Sequence, residues 1–157
     1  MAVKKWAILT NTGFPKGVHE SLPLSGPEKE KYELREKYGP CMKELFYVDS
    51  NIHPGAWAVE GNWWNGPVPK EYSHPSHVHE YDETILFMGT DPEDPSYLGG
   101  EADIYFEGEP VVITKTCQVF IPAGLEHCPI VVKRVDRPFI AVAIANNSHY
   151  YKSTPET

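Results

Sequence analysis

Apolar residues recur along most of the chain in short runs bounded by polar or turn-forming residues, a spacing that matches strands and not the 3.6-residue rhythm of helices. Eight such runs follow Gly39: Leu45 to Val48, Ala56 to Glu60, Thr84 to Met88, Ala102 to Phe106, Val111 to Thr114, Gln118 to Ile121, Pro129 to Val132 and Phe139 to Ile144. Glu107-Gly108-Glu109-Pro110 sits between two of them and predicts a hairpin turn. Gly61-Asn62-Trp63-Trp64-Asn65-Gly66 and Asp91-Pro92-Glu93-Asp94-Pro95 predict loops.

The first 44 residues read differently. Trp6 to Thr10 is a short apolar run, and a stretch through Pro15, Gly17, Pro23 and Pro27 follows it. Ser25-Gly26-Pro27-Glu28 opens a helix that Gly39-Pro40 stops. The expected organisation is one domain over residues 1–157, with an extended wrap and short helix over 1–44 and a β-barrel over 45–150. No repeat recurs at a fixed period, which argues against a propeller or solenoid. The fold class predicted is all-β, a jelly roll or small barrel.

Composition supports one folding unit. A chain of 157 residues buries a core without staples, and its 15 Pro and 12 Gly favour many short strands. A formal charge of -8 repels phosphate backbones and anionic headgroups, so neither nucleic acid nor a membrane surface is an expected partner. No apolar run has the length of a membrane span. Three cysteines, Cys41, Cys117 and Cys128, lack CxxC spacing and follow no signal-like start, which predicts a reducing, cytoplasmic setting.

Candidate chemistry gathers in two stretches. In His77-Val78-His79 the two imidazoles lie two residues apart, so on an extended strand they share a face, and the same parity carries Tyr81, Glu83, Ile85 and Phe87 to that side. In Ile121-Pro122-Ala123-Gly124-Leu125-Glu126-His127, Pro122 and Gly124 fit a tight turn that brings His127 to the start of an inward-facing strand. Three neutral imidazoles and one carboxylate form a donor set suited to Fe, Mn, Ni, Zn or Cu as divalent ions. Four protein ligands on an octahedral ion leave two positions for substrate, dioxygen or water.

His77-x-His79-xxx-Glu83, the later Gly89, and Pro122-x-Gly124-xx-His127 resemble the two sequence motifs of the cupin superfamily. The resemblance spans roughly residues 66 to 145 and includes the segment from Gly100 to Glu109, similar to the strand and hairpin that join the motifs in cupins. It implies a cupin-type jelly roll, or double-stranded β-barrel, with one divalent transition metal ion held by His77, His79, Glu83 and His127. Four positions depart from the pattern: Glu71 replaces the usual glycine before the first His, Gly89 lies one residue nearer Glu83, Thr116 replaces the Gly that commonly opens motif two, and Val131 stands where Asn often follows. None of the four is a ligand.

Other residues carry weaker signals. His19, His53 and His149 have no spaced partner, whereas His74 adjoins the site and joins Tyr81 and Tyr105 as candidates for proton transfer. Cys128, next to His127, is expected to point away from the metal face, and Cys117 to fill the barrel wall. Trp63 and Trp64 are expected in a loop, at a lid or dimer contact. The function expected is a metal-dependent enzyme on a small organic substrate, leaning to dioxygenase-type oxidation. A Lewis-acid isomerase, lyase or decarboxylase and a non-catalytic sugar-binding or metabolite-binding cupin are the alternatives. The resemblance also implies a homodimer.

Overall fold

The computed structural model describes residues 41 to 147 except 51, 71, 72 and 74. The expected strand at Trp6 to Thr10, the helix after Ser25, and the histidines His19, His74 and His149 lie outside the described residues. Eight strands run through the rest: β1 Met42–Val48, β2 Ala58–Trp64, β3 Glu83–Gly89, β4 Tyr97–Phe106, β5 Glu109–Lys115, β6 Cys117–Ile121, β7 His127–Val135 and β8 Phe139–Ala145. Each overlaps one of the eight apolar runs.

All pairings are antiparallel, and they form two sheets. One has the order β1-β2-β8-β3-β6, and the other β5-β4-β7. The chain changes sheet between β3 and β4, between β5 and β6, between β6 and β7, and between β7 and β8, as a jelly-roll barrel requires. Alternation along each strand explains the core. Ile85 and Phe87 of β3, Phe139 and Ala141 of β8, Ala102 and Ile104 of β4, and Val132 of β7 meet between the sheets. Full burial of one such Ile or Phe contributes about 1.5–3 kcal/mol.

Two expectations change. Residues 61 to 64 continue β2 instead of forming a loop, pairing with β8 through Trp64↔Phe139. Trp64 stacks on Phe139 with ring centroids 6.4 Å apart, so it belongs to the core and not to a lid. Gly61 makes this continuation possible, because the Phe46 ring lies where a Cβ on residue 61 would stand. The second change concerns the first motif. His77 to Asp82 are not part of β3, which begins at Glu83.

Candidate metal centre

The convergence foreseen from strand parity is reached by a different route. His77 forms an isolated antiparallel bridge with His127: His77 N donates to His127 O at 3.0 Å and His127 N to His77 O at 3.1 Å. Gly124 N donates to His79 O at 2.9 Å, and Ala123 N donates to Asp82 Oδ1 at 3.0 Å. The turn after β6 is thereby fastened to the segment before β3 at three points. Gly124 adopts φ 85, in the left-handed region that glycine occupies without steric penalty. Glu83 then follows at the first position of β3, opposite Ile121 of β6.

Each of the four residues offers one donor atom, and these atoms lie within 4.8 Å of one another. Glu83 is 3% exposed and His127 0%. Glu83 Oε2 stands 3.0 Å from His79 Nε2 and 3.2 Å from His127 Nε2. The other ring nitrogens share one arrangement. His77 Nδ1 donates to Pro75 O at 2.9 Å, His79 Nδ1 to Tyr81 O at 2.7 Å, and His127 Nδ1 to Leu125 O at 2.9 Å. A carbonyl oxygen only accepts, so the proton of each neutral ring sits on Nδ1 and the Nε2 lone pair is left for the interior.

This arrangement tests whether a metal ion fits. Two neutral Nε2 acceptors at hydrogen-bond distance from a carboxylate oxygen have no proton to share, and a cation among them resolves the conflict. Adjacent ligands on an ion with bonds of about 2.1 Å would be about 3.0 Å apart, close to both separations. Without an ion the proton affinities of two of the rings shift in opposite directions. Burial lowers the pKa of His77, outweighing the Pro75 carbonyl. Burial also opposes a charge on His127, but its hydrogen bonds to Glu83 and Leu125 and the charge of Glu83 together raise its pKa above the ordinary value.

The neighbouring candidates separate. Tyr81 lies flat on His79, with ring centroids 4.0 Å apart and 5° between planes. Burial, with the charge of Glu83, pushes its phenol up to about 12, so at neutral pH it holds its proton and is no base. Tyr105, expected as a candidate for proton transfer, does not join the site: Ala102 and Ile104 of β4 face the core, so Tyr105 falls on the opposite face, where Lys70 Nζ lies 4.8 Å from its ring centroid. Cys128 is buried, and Cys117 packs against the core with its thiol pKa raised by burial. Cys117 thus fills the wall as expected.

Sequence reading overlooked one polar group inside the barrel. Glu60 and Asn62 share the inward face of β2 with Ala58 and Trp64, and Asn62 Nδ2 donates to Glu60 Oε1 at 3.0 Å. The available signal was the alternation itself. It was missed because β2 was expected to end at Glu60.

No protein-family model and no curated protein matches the chain. Solved structures similar to it include an RmlC-like cupin from Shewanella frigidimarina, 12% identical, covering 68% of this chain and 78% of that one with a TM-score of 0.41. The polyketide cyclase RemF from Streptomyces resistomycificus is 16% identical over 67% of this chain and 64% of its own, with a TM-score of 0.43. KdgF from a Halomonas species is 14% identical over 69% and 82%, with a TM-score of 0.41. Two facing antiparallel sheets in this strand order, with His77-x-His79-xxx-Glu83 and Pro122-x-Gly124-xx-His127 meeting inside them, give the chain a cupin fold.

Proposed function

We propose that the protein is a mononuclear, divalent-metal-dependent enzyme acting on a small organic substrate, with dioxygenase-type oxidation as the reaction class. The observation that carries the metal reading is the shared orientation of three histidines. Each spends its Nδ1 proton on a backbone carbonyl two residues away, and the three Nε2 atoms and Glu83 gather within 4.8 Å. A set of three imidazoles and one carboxylate suits Fe, Mn, Ni, Zn or Cu, and on an octahedral ion it leaves positions for substrate and dioxygen.

Oxidation needs no proton acceptor from the protein, whereas a Lewis-acid isomerisation requires one beside the substrate; among the described residues Tyr81, the ring packed on His79, keeps its proton to about 12 and does not supply it. What Tyr81 does supply is position: its ring holds the His79 imidazole in plane while Tyr81 O fixes the tautomer. The three carbonyls and Asp82 keep the donor set in place without help from substrate.

Nitric oxide, a stand-in for dioxygen, tests this reading without knowledge of the substrate. The protein is loaded with Fe(II) under nitrogen and exposed to nitric oxide. A new EPR signal in proportion to bound iron is expected, and iron-loaded protein that stays silent would rule out the oxygenase reading.

A further inference from the structure

The two sheets treat their outer faces differently. On the smaller sheet the outward side chains of β4 and β7 are charged: Lys133 Nζ lies 2.7 Å from Asp103 Oδ2 and 3.4 Å from Glu101 Oε1. On the larger sheet they are apolar. Ile85 and Phe87 of β3 and Phe139 and Ala141 of β8 point into the core, so alternation turns Leu86, Met88, Ile140, Val142 and Ile144 to the outside. The register carries this face across all five strands, with Val48, Val59, Ile144, Thr84 and Phe120 in one row. A sheet that wets one face alternates apolar with polar residues, yet β8, FIAVAIA, has no polar side chain on either face.

Charge is sorted in the same sense. The charged residues of these five strands are Lys43, Glu44, Glu60 and Glu83. Glu44 stands opposite Asn62 on the inward face, and Glu60 and Glu83 are buried on that face too. Lys43, at the β1 corner, is left as the one outward charge. The Phe46 ring lies over Gly61 on the outward side and fills the gap that a residue without a side chain leaves there. Phe120 is 59% exposed, and Leu86, Met88, Ile140 and Ile144 are partly exposed. Proteins rarely leave so wide an apolar face to water, and such patches mark contact surfaces.

Charge, area and shape select a second copy of this chain as the occupant. The face carries no carboxylate, so two chains of formal charge -8 meet there without like charges opposed, whereas a nucleic acid or an anionic membrane gains nothing from it. Seven residues at about 3.3 Å and four strand spacings of about 4.8 Å, widened by one side chain, give a projected area of about 500 Å² per chain. Two such faces bury about 1,000 Å², the size at which a specific interface holds. Twisted sheets pack face to face at about 30°, in layers about 10 Å apart. The middle strand in the order β1-β2-β8-β3-β6 is β8, which places Val142 near the two-fold axis of the pair. We infer that the protein is a homodimer joined through the outer faces of its two five-stranded sheets. Each metal corner stays inside its own barrel, so the inference is independent of the metal reading.

Light scattering of the full chain at about 50 µM is expected to give twice the chain mass of 17.7 kDa. Leu86→Lys and Ile144→Lys, both outward on inner strands of the larger sheet, are expected to halve that mass while the far-UV circular dichroism stays that of wild type. Val112→Lys, at a residue 55% exposed on the smaller sheet, is expected to remain dimeric. Each added lysine reduces the net negative charge, so general repulsion does not explain a lost dimer. Hydroxyl-radical labelling of the wild-type protein decides where the variants do not fold. Phe120, 59% exposed in the single chain, is expected to label in the dimer at less than about a tenth of its rate in the unfolded chain. The inference is overturned by a wild-type monomer, whether Phe120 labels freely or is protected because residues 1–40 of the same chain cover the face. It is equally overturned by a dimer in which Phe120 labels as its exposure in the single chain dictates, by folded Leu86→Lys and Ile144→Lys proteins that stay dimeric, or by a dimer that only Val112→Lys dissociates.

Discussion

His77 and His127, fifty residues apart in the chain, exchange two backbone hydrogen bonds of 3.0 and 3.1 Å across an isolated antiparallel bridge. Because the bridge uses main-chain atoms, the ligand positions are set independently of the imidazoles they carry. Replacing His127 by Ala is therefore expected to remove a donor atom while the bridge persists. Amide exchange at residues 77 and 127 checks this, with protection expected to stay within a few-fold of wild type in the ion-free proteins.

Gly124 holds the turn that carries His127. At φ 85 an L side chain meets no neighbour but adopts a left-handed backbone, at a cost of about 1–2 kcal/mol. Gly124→Ala is expected to lower the unfolding free energy by about that amount and to weaken metal affinity by loosening the bond from Gly124 N to His79 O. Denaturant titration and a competition assay with a chelating dye measure the two effects.

Gly89 ends β3 against the backbone of β4. A Cβ there would stand 1.9 Å from Tyr97 O, and a backbone atom cannot swing aside as a side-chain tip can. Gly89→Ala is expected to destabilise the protein by more than about 2 kcal/mol, well beyond the cost at Gly124, because the two strands must separate. Thermal unfolding of the two variants side by side tests the order.

Protons compete with the ion for the three histidines. In the ion-free protein the raised pKa of His127 means that it binds its proton in the fold more tightly than in the unfolded chain. That stabilisation is fully present below the ordinary histidine value and disappears as pH rises through the raised folded value. His77, lowered by burial, acts in the opposite sense: its neutral form is favoured, and its contribution is lost as pH falls below the ordinary histidine value. Metal affinity is expected to begin falling at the higher of these values as pH is lowered, and to steepen once His77 titrates. A Zn(II) affinity series from pH 8 to pH 5 reads both regimes.

Eight strands and the converging ligands were legible because period-two alternation and turn residues are local signals. The route of the first motif was not. Residues 77 to 82 were treated as extended strand, but long-range bonds from His127, Gly124 and Ala123 shape them, and such bonds leave no trace in spacing. The polar pair on β2 was hidden differently. Gly61 and two adjacent tryptophans look like a loop, and only Phe46 packed over Gly61 shows why the strand continues. Tyr105 was misplaced for want of a known face on β4, which the burial of Ala102 and Ile104 supplies.

The central claim is that His77, His79, Glu83 and His127 hold one divalent ion. Its most direct test is elemental analysis of purified wild-type protein, His79→Ala and His127→Ala after equilibration with a stoichiometric divalent metal. One ion per chain in the wild type, with affinity reduced more than about 100-fold in each variant, is the predicted result. Equal ion content in all three proteins would contradict it.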